Sequence, residues 1–521
     1  MKHFFQRKAV WMIPGIIMLV GLCSLIFENY QEVTEAPSEN WSHEVELGKT
    51  TVNSEPYIIE TQDDLISLSY FSEQGLKQNV YNQKWEKQAE DTYDIPFNKF
   101  TRIFQTKDHL LYSDYYSIYD GKTQEKLTDI DQFLPTHNNL LFTKNEALYQ
   151  LHPDTNETRK VMDLPHPQST LNVTEHAGNV YILSYVSGQS SFDMSLHKLE
   201  NDQVSSLKQA RIDLPQTDVI NELSFDINDD TYGLFVRTTQ KQSMSGSPET
   251  NNYYAIQSLE SKPSLKQISF KDPSGDKMIT EASHLEMTLE NSHMKLLFRG
   301  FGQTKTMFKD GGQFNIYEAV MDADGLRHIK RLSNTPDASK YPNRASDNSI
   351  VWTDADGSTN KVLMSSSHPE VITEAQGLTW DKVLAIAGKT IGMLSYSFLT
   401  IFVTLVWYIW PLLFLAVMMF AKSKAIDQDR MWILHGGIAI YLTFALFLRE
   451  ELFKHVVLLR LPDYMNFFGS PFVFILGFAC ILYGVLYFTN RQNDWSISIQ
   501  LCYFIGLHVS FLSIFIGPYL L

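Results

Sequence analysis

The sequence predicts a membrane protein of mixed β and α class. One N-terminal apolar helix and a C-terminal bundle of four flank a large, polar, strand-rich domain held outside the cytoplasm. Three observations carry this expectation. Apolar residues are concentrated in five stretches, 9–27, 391–421, 431–448, 471–488 and 495–521, each close to the ~20 residues needed to cross a hydrocarbon layer. Negative charge is concentrated between them. The net charge of −16 resolves into −20 for residues 31–380, with 31 Lys+Arg against 51 Asp+Glu, and +4 for the remainder. All three cysteines, Cys23, Cys480 and Cys502, fall in the apolar stretches, so no disulfide framework supports the polar domain.

The first stretch follows Lys2, Arg7 and Lys8, the form of a signal peptide or a signal anchor. Its best small-residue cleavage site, Thr34-Glu35-Ala36, is followed by Pro37, and Leu22 stands where a small residue would precede a lipid-modified Cys23. Residues 1–27 therefore read as an uncleaved transmembrane anchor. Basic residues favour the cytoplasmic side, and Lys2, Arg7, Lys8, then Lys422, Lys424, Arg430, then Arg491 fall on alternate connections. This places the N-terminus in the cytoplasm, residues 28–380 outside it and the C-terminus outside. The cysteine-free outer domain and the Lys/Gln/Asn/Ser-rich composition point to the cell membrane of a Gram-positive bacterium. Residues 28–56 read as an acidic juxtamembrane linker and 374–521 as the four-helix bundle. Pro411 is expected to kink the second span. Residues 449–460, with Leu452, Val456 and Leu459 on one stripe, are expected to form an amphipathic helix, as are 380–393.

From 57 to 373 the pattern is one of short strands and polar turns. Ile66, Leu68 and Tyr70 alternate with Ser67 and Ser69, the period of a half-buried strand. One unit recurs. Leu110-Leu-Tyr-Ser113 is followed by Ser117-Ile-Tyr-Asp-Gly-Lys-Thr123, and Leu140-Leu-Phe-Thr143 by Leu148-Tyr-Gln-Leu151. Further copies begin near Leu65, Val180, Gly233, Leu296 and Ile350. These units of strand, hairpin and strand with Asp-Gly or Asp-x-Thr turns resemble the blades of β-propellers of the quinoprotein-like, TolB-like or WD40-like kind. The resemblance implies a propeller of about seven blades over 57–373; a pair of β-sandwiches is the other architecture the pattern allows. Asp322-Ala-Asp-Gly325 and Asp354-Ala-Asp-Gly357 lack the remaining ligands of an EF-hand loop and read as hairpin turns.

No phosphate-binding loop, His-Glu-x-x-His or Gly-x-Ser-x-Gly occurs, and Gly300-Phe-Gly302 lacks the third glycine of a dinucleotide fingerprint. The acidic balance excludes a phosphate-neutralising nucleic-acid face. No catalytic, cofactor-binding or metal-ligating residue is assigned. His435 and His508 stand inside apolar stretches and read as neutral groups bonded between helices rather than as a proton relay, with His435-Gly-Gly437 marking close helix packing. The polar stretch Thr238–Asn252 reads as the longest loop insertion and a candidate contact segment. The expected function is non-enzymatic: a bilayer-anchored sensor or scaffold whose outer domain binds a protein or cell-envelope ligand. A component of a transport or export system, or a membrane-tethered hydrolase, are the alternatives.

Overall fold

The computed structural model describes every residue except 1, 61–64, 189, 216–217, 241–248, 276, 304–311, 336, 358, 490–494 and 521; for 2–9, 60, 356, 381 and 489 only the backbone is described. The chain forms two compact units, one strand-built over 35–306 and 310–377, the other helical and including 1–34 and 378–521.

The strand-built unit is a seven-bladed β-propeller of seven four-stranded antiparallel sheets. A first strand, β1 (Val45–Thr50), precedes blade one, which comprises β2 (Tyr57–Glu60), β3 (Ile66–Ser72), β4 (Gly75–Tyr81) and β5 (Lys87–Tyr93). Blade two is β6 (Arg102–Gln105), β7 (Leu110–Ser113), β8 (Ser117–Asp120) and β9 (Lys126–Asp129). Blade three is β10 (Gln132–Pro135), β11 (Leu140–Lys144), β12 (Ala147–His152) and β13 (Glu157–Asp163). Blade four is β14 (Thr170–His176), β15 (Asn179–Ser187), β16 (Ser191–Glu200) and β17 (Gln203–Asp213). Blade five is β18 (Asp218–Asn228), β19 (Thr231–Gln240), β20 (Glu249–Ser258) and β21 (Lys266–Ile268). Blade six is β22 (Thr280–Glu290), β23 (His293–Gln303), β24 (Gly312–Asp322) and β25 (Gly325–Arg331). Blade seven is β26 (Ala338–Ser346), β27 (Ser349–Asp356) and β28 (Thr359–Ser366), completed by β1.

The core lies between blades. Each blade packs both faces against neighbours, so its second strand is buried along its whole length; β3, expected to be half-buried from its alternation, buries Ser67 and Ser69 as well as Ile66, Leu68 and Tyr70. All seven residues of β3 and all four of β7 are buried. Leu183, Phe192, Leu223 and Leu234 pack blade four on five, and Phe235, Tyr254, Leu296 and Phe298 pack five on six.

The segment expected to be an acidic linker, 28–56, is instead largely structural. The N-terminal helix continues to Val33, and β1 pairs antiparallel with β28, from Val45↔Met364 to Thr50↔Asn360. Trp41 Nε1 donates to Ser365 Oγ at 2.7 Å and Ser42 N to the Ser366 carbonyl at 2.8 Å. Trp41, Val45 and Leu47 supply the apolar contacts. Their spacing is hidden in the sequence by the acidic residues that alternate with them.

Strand alternation fixes what lies at each end of the propeller. The first strands run the same way along the central channel, so the turns joining first to second and third to fourth strands share one end. The chain enters at the start of β1 and leaves at the end of β28, where Ser42 meets Ser366. Both connections to the helical unit therefore leave from this tether end. Turns between second and third strands, and connections between blades, lie at the opposite, open end.

The two Asp-x-Asp-Gly motifs part company. Asp322 Oδ1 accepts from Asp324 N at 2.8 Å and Gly325 N at 3.1 Å, a turn as expected. Asp354 is a buried strand residue whose Oδ1 accepts from Trp352 Nε1 at 3.0 Å and Ser339 Oγ at 2.7 Å. Position in the hairpin decides this: Asp354 lies inside β27, two residues before its end.

In the helical unit, α1 spans Lys2–Val33; a short α2 (Pro369–Ala375) ends the propeller unit. Then come α3 (Trp380–Ser397), α4 (Leu399–Val403), α5 (Leu405–Ala421), α6 (Ser423–Asp427), α7 (Met431–Phe447), α8 (His455–Arg460), α9 (Ser470–Thr489) and α10 (Ile497–Phe515). Among the described residues four stretches are long and apolar enough to cross a membrane: Val10–Val33, Lys382–Val403, Ser470–Phe488 and Ile497–Phe515. Two shorter apolar helices, Leu405–Ala421 and Met431–Phe447, accompany them. The stretch expected to be one span over 391–421 is thus divided, at Phe398 and Thr404 rather than at Pro411. The helix expected over 449–460 is also broken, into a 3₁₀ turn at Arg449–Glu451 and the six-residue α8. Leu452 is buried while Val456 and Leu459 are exposed.

Helix α10 packs against α1, α7 and α9. A Cβ at Gly437 would stand 2.7 Å from Leu501 Cδ2, so this glycine permits the close approach of α7 and α10. The carboxylate of Glu32 pairs with the buried Lys389, and Asn29 Nδ2 donates to Thr390 Oγ1 at 3.0 Å. Glu32 is therefore a helix residue clamping α1 to α3, not part of a loose lead.

Candidate functional site

The first strands of the blades converge, and their polar side chains staple one blade to the next. Glu222 Oε1 accepts from Leu285 N at 3.3 Å, Asp226 Oδ2 from Leu289 N at 2.8 Å, and Glu286 Oε2 from Arg344 N at 2.7 Å. Asn343 Nδ2 donates to the Pro56 carbonyl at 2.9 Å. Partly buried carboxylates here satisfy backbone donors that the blade ladders leave open at the inner edge. Burial raises the pKa of Glu286, against the opposing effect of Arg344, and raises that of Glu55 against Arg102. Burial also acts on Glu318, but Arg344 (2.6 Å) and Lys330 (2.9 Å) outweigh it and hold its carboxyl below the usual range. Towards the tether end a cavity of about 500 Å³ opens among Ile58, His137, Glu286, Arg344, Asp347 and His368.

At the open end the inner strands of blades six and seven are irregular. β22 shifts register against β23 between Thr280 and Ser283 and again before Glu286; β26 shifts against β27 between Lys340 and Asn343. Glu281, His284 and Tyr341 have φ of 55°, 52° and 50°, a left-handed conformation that costs residues with a Cβ of order 1 kcal/mol each. Bulges of this kind re-aim side chains. They bring the His284 ring edge-on to Tyr341, with centroids 4.6 Å apart.

Cations surround this pair. Arg237 reaches from blade five, where Nη1 donates to the Ala282 carbonyl at 3.1 Å and Nη2 lies 3.4 Å from Glu222. The Arg299 guanidinium lies 3.5 Å over the Phe314 ring and makes no ion pair with any described residue; nor does Lys340. The Nε atoms of Arg237 and Arg299 are buried without hydrogen-bond partners among the described residues. Burial, reinforced by Arg299, Arg237 and Lys340, depresses the His284 pKa to about 4. The imidazole, exposed on its strand, thus stands among three cations despite the acidic balance of the domain.

The same end carries an exposed aromatic cluster on blade two. Phe100, in the connection from blade one, lies 4.8 Å from Tyr115, which lies 5.0 Å from Tyr116. Asp114 pins the hairpin, with Oδ1 accepting from Tyr116 N and Ser117 N and Oδ2 from Tyr119 Oη. Tyr115 sits at φ 101°. These are three of the six large hydrophobic side chains exposed on the propeller among the described residues; Val219, Met278 and Phe301 are scattered.

The residues singled out in the sequence lie elsewhere. His508 is buried in the bundle between Tyr441 Oη at 2.8 Å from Nδ1 and the Ile475 carbonyl at 2.8 Å from Nε2. The carbonyl accepts only, so Nε2 carries the proton and Nδ1 accepts from Tyr441. His435 Nε2 lies 3.0 Å from Tyr483 Oη. The two histidines share no partner. Thr238–Asn252 is not one insertion: Thr238–Gln240 extend β19, Glu249–Asn252 extend β20, and 241–248 lie outside the described residues. No cluster of three or more metal-ligating side chains occurs among the described residues. Sequence reading missed the Arg237–His284–Arg299–Lys340 grouping because its members are spread over about 100 residues and four strands; no local signal joins them.

No protein-family model matches the chain, and no curated protein matches it in sequence. Solved structures match in fold alone. A eukaryotic initiation factor is 10% identical over 58% of this chain and 72% of its own, with a TM-score of 0.31. TolB from Acinetobacter baumannii is 13% identical over 57% and 78%, with a TM-score of 0.24. Saccharomyces cerevisiae Sqt1 is 7% identical over 61% and 98%, with a TM-score of 0.30. The class defined by the structure is a seven-bladed β-propeller joined to a unit of apolar helices.

Proposed function

We propose that the chain is a non-enzymatic integral membrane protein that displays its propeller outside the cytoplasm as a binding module, with the ligand or partner engaged at the open end. The observation that carries this reading is the division of the propeller into two ends. Both tethers leave from one, while the strained inner strands, the cationic group and the aromatic cluster lie at the other. Backbone strain kept at non-glycine positions is commonly associated with pre-organised sites, and rigid scaffolds present contacts on such loops.

Charge and helix geometry support a five-crossing bilayer topology. Phe398, between α3 and α4, and Thr404, between α4 and α5, keep helical or near-helical backbone, so the chain from Trp380 to Ala421 continues in one direction. Forty-two residues at ~1.5 Å each exceed a ~30 Å hydrocarbon layer but cross it only once. The first turns of α3, with Lys389 paired to Glu32, then stand outside the apolar layer. Five crossings result, with Lys422, Lys424 and Arg430 in the cytoplasm. Single cysteines at the exposed positions Ser187 and Ser423, in a background lacking Cys23, Cys480 and Cys502, test this. An impermeant thiol reagent applied to intact cells is expected to label the first and spare the second. Reversed labelling would overturn the topology.

Binding at the open end predicts a further result. Replacing Phe100, Tyr115 and Tyr116 together by Ser removes on the order of 300 Å² of exposed aromatic surface, at ~200 Å² per ring scaled by exposures of 45, 51 and 70%. The triple variant is expected to keep the wild-type melting temperature, because these rings bury little. It is also expected to lose the phenotype restored by the wild-type gene in a deletion strain. Full complementation at normal membrane levels would count against the open end as the contact surface.

A further inference from the structure

We infer that the open end of the channel, where blades five, six and seven meet, is a binding site for an oxyanion group, with Arg299 and Lys340 as its principal ligands and Arg237 and His284 at its edge. The inference rests on the reading of the open end as the binding end and gives its ligand a chemical class.

Four observations converge on it. First, two of the three cations, Arg299 and Lys340, lack an ion-pair partner among the described residues. Residues 31–380 hold 51 acidic against 31 basic side chains, so a basic residue on this domain has carboxylates in excess around it. Arg299 and Lys340 nonetheless form no ion pair with any described residue. Arg237 is paired to Glu222 at 3.4 Å, and Glu281, exposed on β22, is the one carboxylate acting on Arg299. Second, donors are left over. Arg237 and Arg299 each bury an Nε that no described residue accepts. A buried guanidinium donor without a partner is costly, and an oxyanion supplies the missing acceptor.

Third, the site is built rather than incidental. The Phe314 ring holds the Arg299 guanidinium from one side at 3.5 Å, which fixes its plane and leaves the in-plane donors to point elsewhere. Arg237 is fixed by the Ala282 carbonyl. Glu281, His284 and Tyr341 take left-handed φ within two bulged inner strands, so the backbone that aims these groups is strained. Fourth, three cations on three separate strands converge on His284 and, after desolvation, disfavour a proton on it. An anion relieves the same repulsion.

The chemistry favours a compact, multiply charged oxyanion. A planar guanidinium offers paired donors that match two oxygens of a phosphate or carboxylate, and the ammonium supplies a point charge beside it. Phosphate and carboxylate sources share this chemistry, and titration separates them.

The test is isothermal titration of the full chain, in a non-ionic detergent, with inorganic phosphate, sulfate and acetate as the probes. Phosphate and sulfate are expected to bind in one-to-one stoichiometry and acetate more weakly. Arg299→Gln and Lys340→Gln are each expected to weaken phosphate binding by about tenfold, and Arg299→Lys by less. The Lys340 side chain makes no hydrogen bond or ion pair with any described residue, so its variant remains informative if an Arg299 substitution unfolds the domain. Arg159→Gln, in blade three where Arg159 pairs with Asp202 at 2.6 Å, is expected to leave binding unchanged. Absence of binding up to about 10 mM phosphate would overturn the proposal. Equal affinity in the wild type and the Lys340 and Arg299 variants would do the same. A preference for acetate over phosphate and sulfate would identify a carboxylate site and exclude phosphate as the ligand class. Because titration in detergent is blind to sidedness and thiol labelling is blind to ligands, failure of one leaves the other standing.

Discussion

A fragment spanning residues 35–377 is expected to fold on its own and melt in one cooperative transition, whereas a fragment beginning at Thr51 is expected not to. The difference is β1. Without it β28 becomes an exposed edge, the antiparallel ladder from Val45 to Thr50 is lost, and Trp41, buried against Trp352 and Leu363, is gone. Loss of a buried Trp side chain alone costs ~3–5 kcal/mol, against a typical domain stability of ~5–15 kcal/mol. The unpaired, apolar edge also invites association between copies. Circular dichroism melts and size-exclusion chromatography of the two fragments decide the matter. Equal melting temperatures and a monomeric shorter fragment would show that β1 is dispensable.

The second large effect is a pH dependence in blade seven. Burial raises the Asp354 pKa to about 6 from the ordinary 3.8, with Asp337 adding to it, while hydrogen bonds from Thr335, Ser339 and Trp352 oppose it. Its folded pKa thus lies above its unfolded one. Between about pH 4 and 6 the native state holds a proton that the unfolded chain has released, so stability contributed by this group falls as pH rises through that window. Two pH units correspond to roughly 3 kcal/mol, an upper bound for a site that relaxes. Asp354→Asn keeps an oxygen to accept from Trp352 and Ser339 and removes the titration. In fragment 35–377 the variant is expected to be about 1–3 kcal/mol more stable than wild type at pH 7.5 and to lose that advantage by pH 4, measured by urea unfolding. A variant less stable at pH 7.5 would mean that the carboxylate is stabilising in place, contrary to the desolvation argument.

Legibility in the sequence followed burial. Each of the seven recurring units, near Leu65, Leu110, Leu140, Val180, Gly233, Leu296 and Ile350, falls on the second strand of a blade. That strand is covered on both faces and in most blades writes a compact apolar run, β3 with its alternating serines being the exception. The first strands were not legible. They line a channel, carry polar side chains such as Glu222, Asp226, Glu286 and Arg344, and in blades six and seven are bulged, which destroys the period of two. The cation grouping was illegible because its members come from four strands, Arg237 and Arg299 near the ends of second strands and His284 and Lys340 on bulged first strands. In the helical unit, total apolarity showed where helices lie but not where they break, because Phe398 and Thr404 are unremarkable in composition. Gly437 was legible as a packing residue, since only a small side chain admits Leu501 at that distance. The acidic lead misled because charge density outweighed the few apolar residues that dock β1.

Closure of the ring by β1 also sets a clock for synthesis. The strand is made first, and its partner β28 follows only after about 300 further residues. At ~5–20 residues per second, β1 waits roughly 15–60 s with its backbone donors and acceptors open. Throughout that interval the nascent domain is an unclosed arc with two free edges, vulnerable to pairing with a neighbouring nascent chain. Delivery of β28 to the waiting strand is thus the last step of propeller assembly, and a pause in synthesis between blades six and seven lengthens the exposed period. The helices from Trp380 onward are made only after β28, so both partners of the closing ladder exist before the second tether does.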